Sequence, residues 1–310
     1  IVMNTHDIEA FVAVVETGSI SAAAARLNLT QPGITRRVQN LEETVGTGLL
    51  DRMSKPLKPT HAGREAYELG RRVLRSVDDL VSGLAPDGAP GGAFRLGIST
   101  GLSDAALAKP IDVVRTAYPG LALRVSSAWS PSLLRQVEAG LLHAAAILAV
   151  GDAVPPAPLQ AARLGVLELT VVVSRHLRLP RWPDLEAVSA FPWIVNPDGC
   201  GIRRGIAALF EAEGLPFQVA VEALGTELKL SLAARGIGLA LVQPAAVARS
   251  AYRDDLVSLR VSGLPEAASG WIVRGPTPGK LAPAIDLFRT ALAASLKQAE
   301  KAPPRVRKAK

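Results

Sequence analysis

The sequence predicts an α + α/β protein: a small helical module at the N-terminus, one long helix, and two α/β lobes. Three observations predict this fold class. Residues 19–37 have the pattern of two short helices joined by a tight turn, and residues 62–84 carry apolar side chains at coiled-coil spacing. Beyond a Pro/Gly-rich segment at residues 85–93, strand and helix patterns alternate to the end of the chain. We therefore expect an N-terminal helical module that serves either DNA binding or assembly, followed by a larger ligand-binding domain.

The two N-terminal helices suit a DNA-reading motif. Ser19 or Ser21 can cap the first helix, Asn28 breaks it, and Thr30 caps the second. Apolar residues of the second helix recur at one narrow stripe: Ile34, Val38, Leu41 and Val45. Its other side offers an amide, a hydroxyl and a guanidinium, which can pair with base edges in the major groove. We predict a helix-turn-helix whose base-reading residues are Gln31, Pro32, Thr35 and Arg36.

A short wing is predicted after the second helix. Two prolines and two lysines fall within residues 54–60, a composition that favours a small β-wing laid against phosphates. Residues 1–62 carry equal numbers of basic and acidic side chains, but the basic ones gather where turn, helix and wing would meet DNA. The predicted phosphate contacts are Arg37, Arg52, Lys55 and Lys58, and Arg26 falls in the same region.

Residues 4–84 resemble the N-terminal part of LysR-type transcriptional regulators. The matching pieces include Thr17-Gly18-Ser19, Leu29-Thr30-Gln31-Pro32, Ile34-Thr35-Arg36-Arg37-Val38, Leu41-Glu42-Glu43, Leu49-Leu50 with Arg52, and Thr60 with Ala62-Gly63. Leu50 stands where the family usually has an aromatic residue, and Pro59 where it usually has leucine. The resemblance implies a winged helix-turn-helix followed by a dimerising linker helix.

The long helix is predicted to pair with a second copy of the chain. Its apolar residues step by 3, 4, 4, 3 and 4: Ala66, Leu69, Val73, Val77, Leu80 and Leu84. A surface helix packed on its own domain is the alternative. A dimer would present two reading helices to two half-sites, so we expect a homodimer or homotetramer.

The remainder of the chain predicts two α/β lobes with a ligand between them. Strands are predicted at residues 94–99, 121–126 and 144–150, with helices at 103–117 and from Pro131 to Gly140, which gives a parallel sheet. A second block has strands at 167–173, 193–195, 217–222, 239–242 and 271–273 and helices at 202–213, 226–234 and 281–296. Residues 94–296 resemble, more loosely, LysR-type effector domains, which are built like periplasmic binding proteins. His143 departs from the acid that this family commonly has there.

The expected boundaries follow from these patterns. Residues 1–61 form the winged helix-turn-helix, 62–93 the linker helix and hinge, 94–300 the effector domain, and 301–310 a basic disordered tail. Within the effector domain, lobe I takes about 94–163 and 270–300, and lobe II about 164–269.

The effector is expected beyond the carboxyl ends of the strands, beside helix N-termini. This rule selects nine residues: Ser99, Thr100, Gly101, Trp129, Cys200, Gly201, Arg203, Thr226 and Gln243. Helix N-termini bind anions, and Arg203 or Arg204 could add charge, so a small carboxylate-bearing effector is favoured. Each segment could equally be an ordinary capped turn.

Other functions are less well supported by the sequence. Residues Gly199, Gly201 and Gly205 lack the third glycine of a dinucleotide fingerprint, because Arg204 occupies that position. The four histidines are scattered and no hydrolase or metal motif is present, so we expect neither an enzyme nor a cofactor nor a metal. Cys200, the single cysteine, could be a redox- or metal-sensing thiol but is favoured as part of a pocket wall.

Composition supports an intracellular regulator. The hydrophobic fraction of 48% with 20% charged residues is typical of a globular protein, and one cysteine allows no internal disulfide. With no signal or membrane-spanning pattern, we predict a cytoplasmic protein. Its partners would be double-stranded promoter DNA, a small effector, RNA polymerase if it activates, and no membrane. The rival is a ligand-binding or catalytic α/β protein whose N-terminal helices serve only assembly.

Overall fold

The computed structural model describes residues 3–84, 90–102, 108–151, 153–180 and 182–301. The chain separates into two units, one of residues 1–88 with 139–141 and the other of residues 89–138 with 142–310. The finer domain boundaries given above remain predictions. Parts of the predicted hinge (85–89), of the predicted helix from residue 103 (103–107) and of the basic tail (302–310) lie outside the described residues.

The first unit is a helical bundle with a small wing. Its elements are α1 (Thr5–Thr17), α2 (Ile20–Leu27), α3 (Gln31–Val45), β1 (Leu50–Asp51), β2 (Lys58–Pro59) and α4 (His61–Leu84). Phe11, Ile34 and Leu49 are fully buried at the centre of its core. Val45, predicted to continue the apolar stripe of α3, is 41% exposed, because α3 ends there at Gly46 and the stripe stops at Leu41.

The turns of this unit follow from their residues. Ser19 caps α2 by accepting the Ala22 N–H at 3.4 Å, and Thr30 caps α3 by accepting the Gly33 N–H at 3.3 Å. Asn28 ends α2 in the left-handed conformation, with φ of 54°, which asparagine tolerates better than most residues. The two-residue strands β1 and β2 pair antiparallel, Leu50 with Pro59. The predicted helix-turn-helix and wing are thereby confirmed as structure.

The second unit consists of two lobes. Lobe I contains β3 (Gly92–Ser99), α5 (Ala108–Ala117), β4 (Leu121–Ala128), α6 (Ser130–Glu138), β5 (Ala144–Val150), β6 (Gln160–Glu168), β12 (Ala267–Arg274) and α11 (Ala282–Lys301). Lobe II contains β7 (Thr170–Ser174), α7 (Leu185–Ser189), β8 (Trp193–Val195), α8 (Gly201–Ala212), β9 (Val219–Glu222), α9 (Thr226–Ala234), β10 (Ala240–Val242), α10 (Pro244–Arg249) and β11 (Leu256–Leu259).

The lobe I sheet has the order β4-β3-β5-β12-β6. Strands β3, β4 and β5 are parallel, as predicted, whereas β12 runs antiparallel to both of its neighbours. Helices α5 and α11 cover one face through Val114 and Phe288, and α6 covers the other through Leu133. The carboxyl ends of β3, β4 and β5 therefore share one edge.

Three strands of lobe II, β8, β9 and β10, run in the same direction and place their carboxyl ends at one edge. Strands β8 and β9 are parallel, a parallel bridge joins Trp193 to Leu239 beside β10, and β7 pairs antiparallel with both β10 and β11. Helix α8 packs on one face through Phe210, and α9 packs on the other through Leu230. Within the described residues no helix is both long and apolar enough to cross a bilayer.

The sheets correct several sequence predictions. The strand predicted at 167–173 is two strands, β6 and β7, which meet at Leu169 and lie in different lobes. Strand β12 spans Ala267–Arg274 and is therefore longer than the strand predicted at 271–273. Strand β11 and helices α7 and α10 were not predicted, because each is six residues long or shorter and carries little periodicity.

Candidate functional site

The exposed side of α3 carries most of the predicted base-reading residues. Gln31, Pro32 and Arg36 are exposed, and the buried residues Ile34 and Val38 on the opposite side fix the rotation of the helix. Thr35 is partly exposed, and its hydroxyl donates to the Gln31 carbonyl at 3.0 Å. The Thr35 side chain therefore keeps its oxygen lone pairs and its methyl group for any contact with a base. The geometry allows α3 to present these side chains to a groove.

The wing is held to α3 by Glu42, a residue that the sequence reading left without a role. Glu42 Oε1 accepts the N–H groups of Leu49 at 2.7 Å and Leu50 at 3.2 Å. Its Oε2 accepts a charged hydrogen bond from Arg52 Nη2 at 2.9 Å, and the Glu42 side chain is only 13% exposed. A carboxylate that accepts three N–H bonds fixes both the wing backbone and the direction of Arg52.

The tip of the wing lies beside the turn between α1 and α2. The Leu57 N–H donates to the Gly18 carbonyl at 2.9 Å, and a Cβ at Gly18 would lie 2.9 Å from Pro56 Cβ. Gly18 also has a φ of 66°, so both its conformation and this close approach favour glycine. Lys55 and Lys58 are exposed on the wing, and Arg37 is partly exposed on α3.

Arg26 is engaged within the protein. Its Nη1 lies 2.6 Å from Glu16 Oε2, and the Tyr67 hydroxyl donates to Glu16 Oε1 at 3.3 Å. Partial burial raises the pKa of Tyr67 above its ordinary value; the Arg71 guanidinium, 5.3 Å from the ring centre, opposes this, and the Glu16 carboxylate adds to it. Glu16 thus joins α1 to α2 through Arg26 and to α4 through Tyr67. Because Glu16 partly compensates the charge of Arg26, this arginine is less available to a DNA phosphate.

Two contacts join the carboxyl edges of the two lobes, and three predicted effector residues, Gly101, Trp129 and Gln243, take part in them. Gly199 of lobe II approaches Trp129 of lobe I so closely that a Cβ there would lie 3.0 Å from Trp129 Cδ1. Gln243 Nε2 donates to the Gly101 carbonyl at 3.4 Å, which bridges the lobes at a second point. Thr226 starts α9 and is partly exposed, and Gly201 starts α8.

Two of the predicted effector residues, Ser99 and Cys200, have buried side chains that already form hydrogen bonds within the protein, which argues against direct contact with a ligand. Ser99 is 3% exposed, and its hydroxyl accepts from Ser130 at 3.1 Å, while Ser130 also accepts the Leu148 N–H. Cys200 is 4% exposed, and its Sγ accepts from Asn196 Nδ2 at 3.2 Å. Both side chains pack inside their lobes, whereas Thr100 and Trp129 remain partly exposed.

Arg203 is held in an ion-pair network. Its guanidinium lies 2.9 Å from Asp198 Oδ1 and 2.8 Å from Glu222 Oε1, and it donates to the Asn196 carbonyl at 3.2 Å. Two carboxylates already compensate its charge, which weakens the expectation that Arg203 holds an anionic effector. These contacts instead tie the start of α8 to the end of β9.

Lys229 is a buried cation that the sequence reading did not single out. It lies one turn into α9 and is 7% exposed, and its Nζ donates to Asn196 Oδ1 at 3.0 Å. Charged helical residues usually face solvent, so the sequence carries no signal that this one is buried. The buried ammonium lies beside the loop that follows β8.

A shallow pocket of about 280 Å³ lies on the flank of lobe II. It is lined by Asp198, Gly199, Cys200, Arg203, Arg204, Ala207, Phe217 and Val219. In the described parts of the chain, no group of three or more His, Cys, Asp or Glu side chains could hold a metal ion.

A helix-turn-helix module in one chain with a two-lobe α/β domain is typical of the class of ligand-responsive DNA-binding regulators. Two family profiles match the chain: "Bacterial regulatory helix-turn-helix protein, lysR family" over residues 5–64, and "LysR substrate binding domain" over residues 87–297. The chain therefore belongs to the LysR family of transcriptional regulators. Members of this family regulate transcription and are not enzymes.

Relatives match along most of the chain. The regulator BenM of Acinetobacter baylyi is 28% identical over 77% of this chain and 80% of its own length. The RuBisCO operon transcriptional regulator of Allochromatium vinosum is 23% identical over 93% of this chain and 94% of its own.

Solved structures share the fold. CbnR in complex with its target DNA superimposes with a TM-score of 0.62 at 22% identity, covering 93% of this chain and 100% of that one. A full-length OxyR variant from Pseudomonas aeruginosa gives a TM-score of 0.67 at 15% identity, covering 95% and 99%.

Proposed function

We propose that this LysR-type regulator reads its promoter with Gln31, Pro32, Thr35 and Arg36 of α3. Arg37, Arg52, Lys55 and Lys58 would contact phosphates on either side. The observation that carries the proposal is the exposed polar face of α3 lying next to a wing whose backbone Glu42 holds in place. CbnR is known in complex with its target DNA, and we extend that mode of binding to this chain.

The regulator would bind DNA as a homodimer or homotetramer. Leu69, Val73 and Leu80 of α4 are 43% to 61% exposed, which is unusual for a row of large apolar residues on one helix. A second α4 packed against this row would bury it and would bring two reading helices to two half-sites. Because its target is promoter DNA, we place the protein in the cytoplasm. If it activates transcription, it would also contact RNA polymerase there.

A small molecule between the lobes would control DNA binding. We propose that it contacts Thr100, Gly101, Trp129, Gly201, Thr226 and Gln243, with Ser99, Cys200 and Arg203 supporting the walls. An effector that binds one arrangement of the lobes more tightly than another shifts the population toward that arrangement. DNA affinity or DNA geometry would change with it.

Binding to the protein's own upstream promoter fragment tests this function. Fluorescence anisotropy with the promoter and with a scrambled fragment, at low and at higher salt, separates sequence reading from charge attraction. We expect a preference for the promoter that persists at the higher salt. Equal, weak binding that disappears with salt would instead favour the rival, in which the helical unit serves only assembly.

A further inference from the structure

The wing carries an apolar side chain that is almost fully exposed. Residues 52–57 join β1 to β2, and Met53 lies near the start of this loop. Met53 is 93% exposed, the largest fraction among the large apolar residues in the described part of the chain. A single exposed apolar residue is common on protein surfaces and has no meaning by itself. The position of Met53 within the DNA-binding module is what gives it significance.

The backbone around Met53 is held in place by its neighbours. The Met53 N–H donates to Asp51 Oδ1 at 3.0 Å, and the Ser54 hydroxyl donates to the Asp51 carbonyl at 2.9 Å. The Ser54 hydroxyl oxygen also accepts the Lys58 N–H at 2.9 Å, which ties the start of the loop to β2. A side chain on a fixed backbone loses less conformational entropy when it enters a binding partner. The loop is therefore organised to present Met53 before DNA is bound.

The wing lies beside the part of the module that would meet the DNA backbone. Its Leu57 N–H binds the Gly18 carbonyl, just before α2 begins at Ile20. In helix-turn-helix proteins the first helix of the motif crosses the backbone, while the second lies in the major groove. Helices α2 and α3 hold these two positions here. Since each DNA backbone separates the major groove from a minor groove, the wing would lie where the minor groove begins.

The residues around Met53 match the chemistry of a minor groove. Arg52 precedes Met53, Lys55 follows it by two positions, and both cations are exposed. Cationic side chains suit the phosphates that border the groove, whereas an apolar side chain suits its base-lined floor. Proteins that bind the minor groove often insert methionine or another apolar side chain between neighbouring base pairs and thereby kink the duplex.

We propose that Met53 is an apolar wedge that enters the minor groove beside the half-site read by α3. The inference rests on the proposed reading of DNA by α3 and adds a residue that responds to the deformability of the sequence. Pyrimidine–purine steps are the most easily kinked, so a wedge favours such a step at a position that α3 does not touch. Met53 thus adds sequence preference without a hydrogen bond to a base.

Methyl NMR of the full-length protein tests the wedge, because the chain has two methionines, Met3 and Met53. Protein with ¹³C-labelled methionine methyl groups should give two signals, which Met53→Leu assigns. Saturation with the promoter fragment should shift the Met53 signal upfield, because the ring currents of the flanking bases act on a methyl group between them. Met3, which is 48% exposed outside the wing, is the reference and should not shift upfield. An unmoved Met53 signal in the saturated complex would overturn the proposal, and this result needs no variant to fold.

Affinity measurements test whether the apolar character of Met53 matters. Met53→Gln keeps the length of the side chain but makes it polar, and it should lower promoter affinity by about tenfold through lost apolar burial. Met53→Leu, which remains apolar, should retain most of the affinity, and Met3→Gln should bind as the wild type does. Equal promoter affinity in Met53→Gln and the wild type would contradict a wedge.

Diaminopurine in place of adenine assigns the groove, because it adds an amino group to the minor-groove edge and leaves the major-groove edge unchanged. The wild type should lose affinity for the substituted promoter fragment, and Met53→Ala should lose much less. Equal losses in the two proteins would overturn the assignment to the minor groove.

The failure of this inference and the failure of the proposed function give different results. Promoter preference together with an unmoved Met53 signal would overturn only the wedge. An upfield shift of Met53 on promoter and scrambled DNA alike, in a protein without promoter preference, would support the wedge and overturn only the proposed function.

Discussion

Arg36 is the residue whose substitution separates base reading from phosphate attraction most clearly. Its guanidinium is exposed on α3, and a bidentate pair with guanine contributes discrimination between bases. Arg36→Ala should weaken promoter binding by about 1–3 kcal/mol with little loss on scrambled DNA. Fluorescence anisotropy on both fragments measures this difference.

The matched control for Arg36 is Arg72→Ala, which removes an exposed arginine from α4 of the same unit. We expect that variant to bind both fragments nearly as the wild type does. Equal loss of affinity on promoter and scrambled DNA in Arg36→Ala would show that Arg36 contacts a phosphate.

Glu42 should matter more for stability than its neighbour. Glu42→Ala leaves the Leu49 and Leu50 N–H groups without their acceptor, which should cost about 1–3 kcal/mol of unfolding free energy in the first unit. Promoter affinity should fall as well, because Arg52 loses its anchor. Glu43→Ala, which removes an exposed carboxylate one residue later, should leave both quantities nearly unchanged.

Urea unfolding of the full chain, followed together with promoter binding, measures both effects. Similar losses in the two variants would mean that Glu42 acts only through its charge and not through its hydrogen bonds to the wing.

The contact of Tyr67 with Glu16 makes the junction of α1 and α4 sensitive to alkaline pH. Burial raises the pKa of Tyr67 above 10.0, so the folded protein keeps a phenol proton that the unfolded chain releases. As pH rises from about 10 through the folded pKa, this group therefore loses its contribution to stability. Tyr67→Phe should remove one alkaline phenolate transition from the near-UV absorbance titration.

Tyr118→Phe, in the second unit, is the control for that titration and should retain the Tyr67 transition. If Tyr67→Phe leaves all transitions above pH 10 in place, the Tyr67 hydroxyl is not partly buried in solution as it is in this structure.

The elements that were predicted correctly are those specified by neighbouring residues. Thr30 and Pro32 mark the start of α3, Asn28 ends α2, and the paired prolines bound the wing, because capping and turn chemistry act within a few residues. Strands β6 and β7 were merged because Leu169 joins two apolar runs with no turn residue between them. Whether a strand stays in its sheet or crosses to another lobe depends on partners far along the chain.

The site was harder to predict than the fold for the same reason. Gly201, Thr226 and Gln243 follow from the rule that ligands collect at strand ends, and each of them lies at or next to the end of a loop that follows a strand of lobe II. The partners of Arg203 include Glu222, nineteen positions later, and Lys229 meets Asn196 from a different element. No local pattern reveals that an arginine is compensated or that a lysine is buried.

At the scale of the whole molecule, the exposed apolar row on α4 predicts how the protein assembles. Leu80 is 61% exposed on this row, and an arginine there would place charge in the centre of a helix pair. Leu80→Arg should lower the mass measured by light scattering toward that of the monomer. Promoter affinity should fall by about 100-fold or more, because the two reading helices would no longer be linked.

Asp78→Arg provides the control for assembly, since Asp78 is exposed and lies on the other side of α4 at 100° per residue. It should keep the wild-type mass. A Leu80→Arg protein that remains a stable dimer would show that another surface joins the two copies.

The position of β12 in the lobe I sheet has a consequence for synthesis on the ribosome. Strand β12 lies between β5 and β6 although it follows both by more than ninety residues, whereas the helices and strands of the helix-turn-helix, the wing and α4 all lie between residues 5 and 84. The DNA-reading unit can thus fold while lobe I still lacks a central strand, since domains generally fold in order of emergence. A nascent or truncated chain would therefore contain a folded DNA-binding module before it contains the complete effector domain. Such a chain would bind DNA without control by the effector.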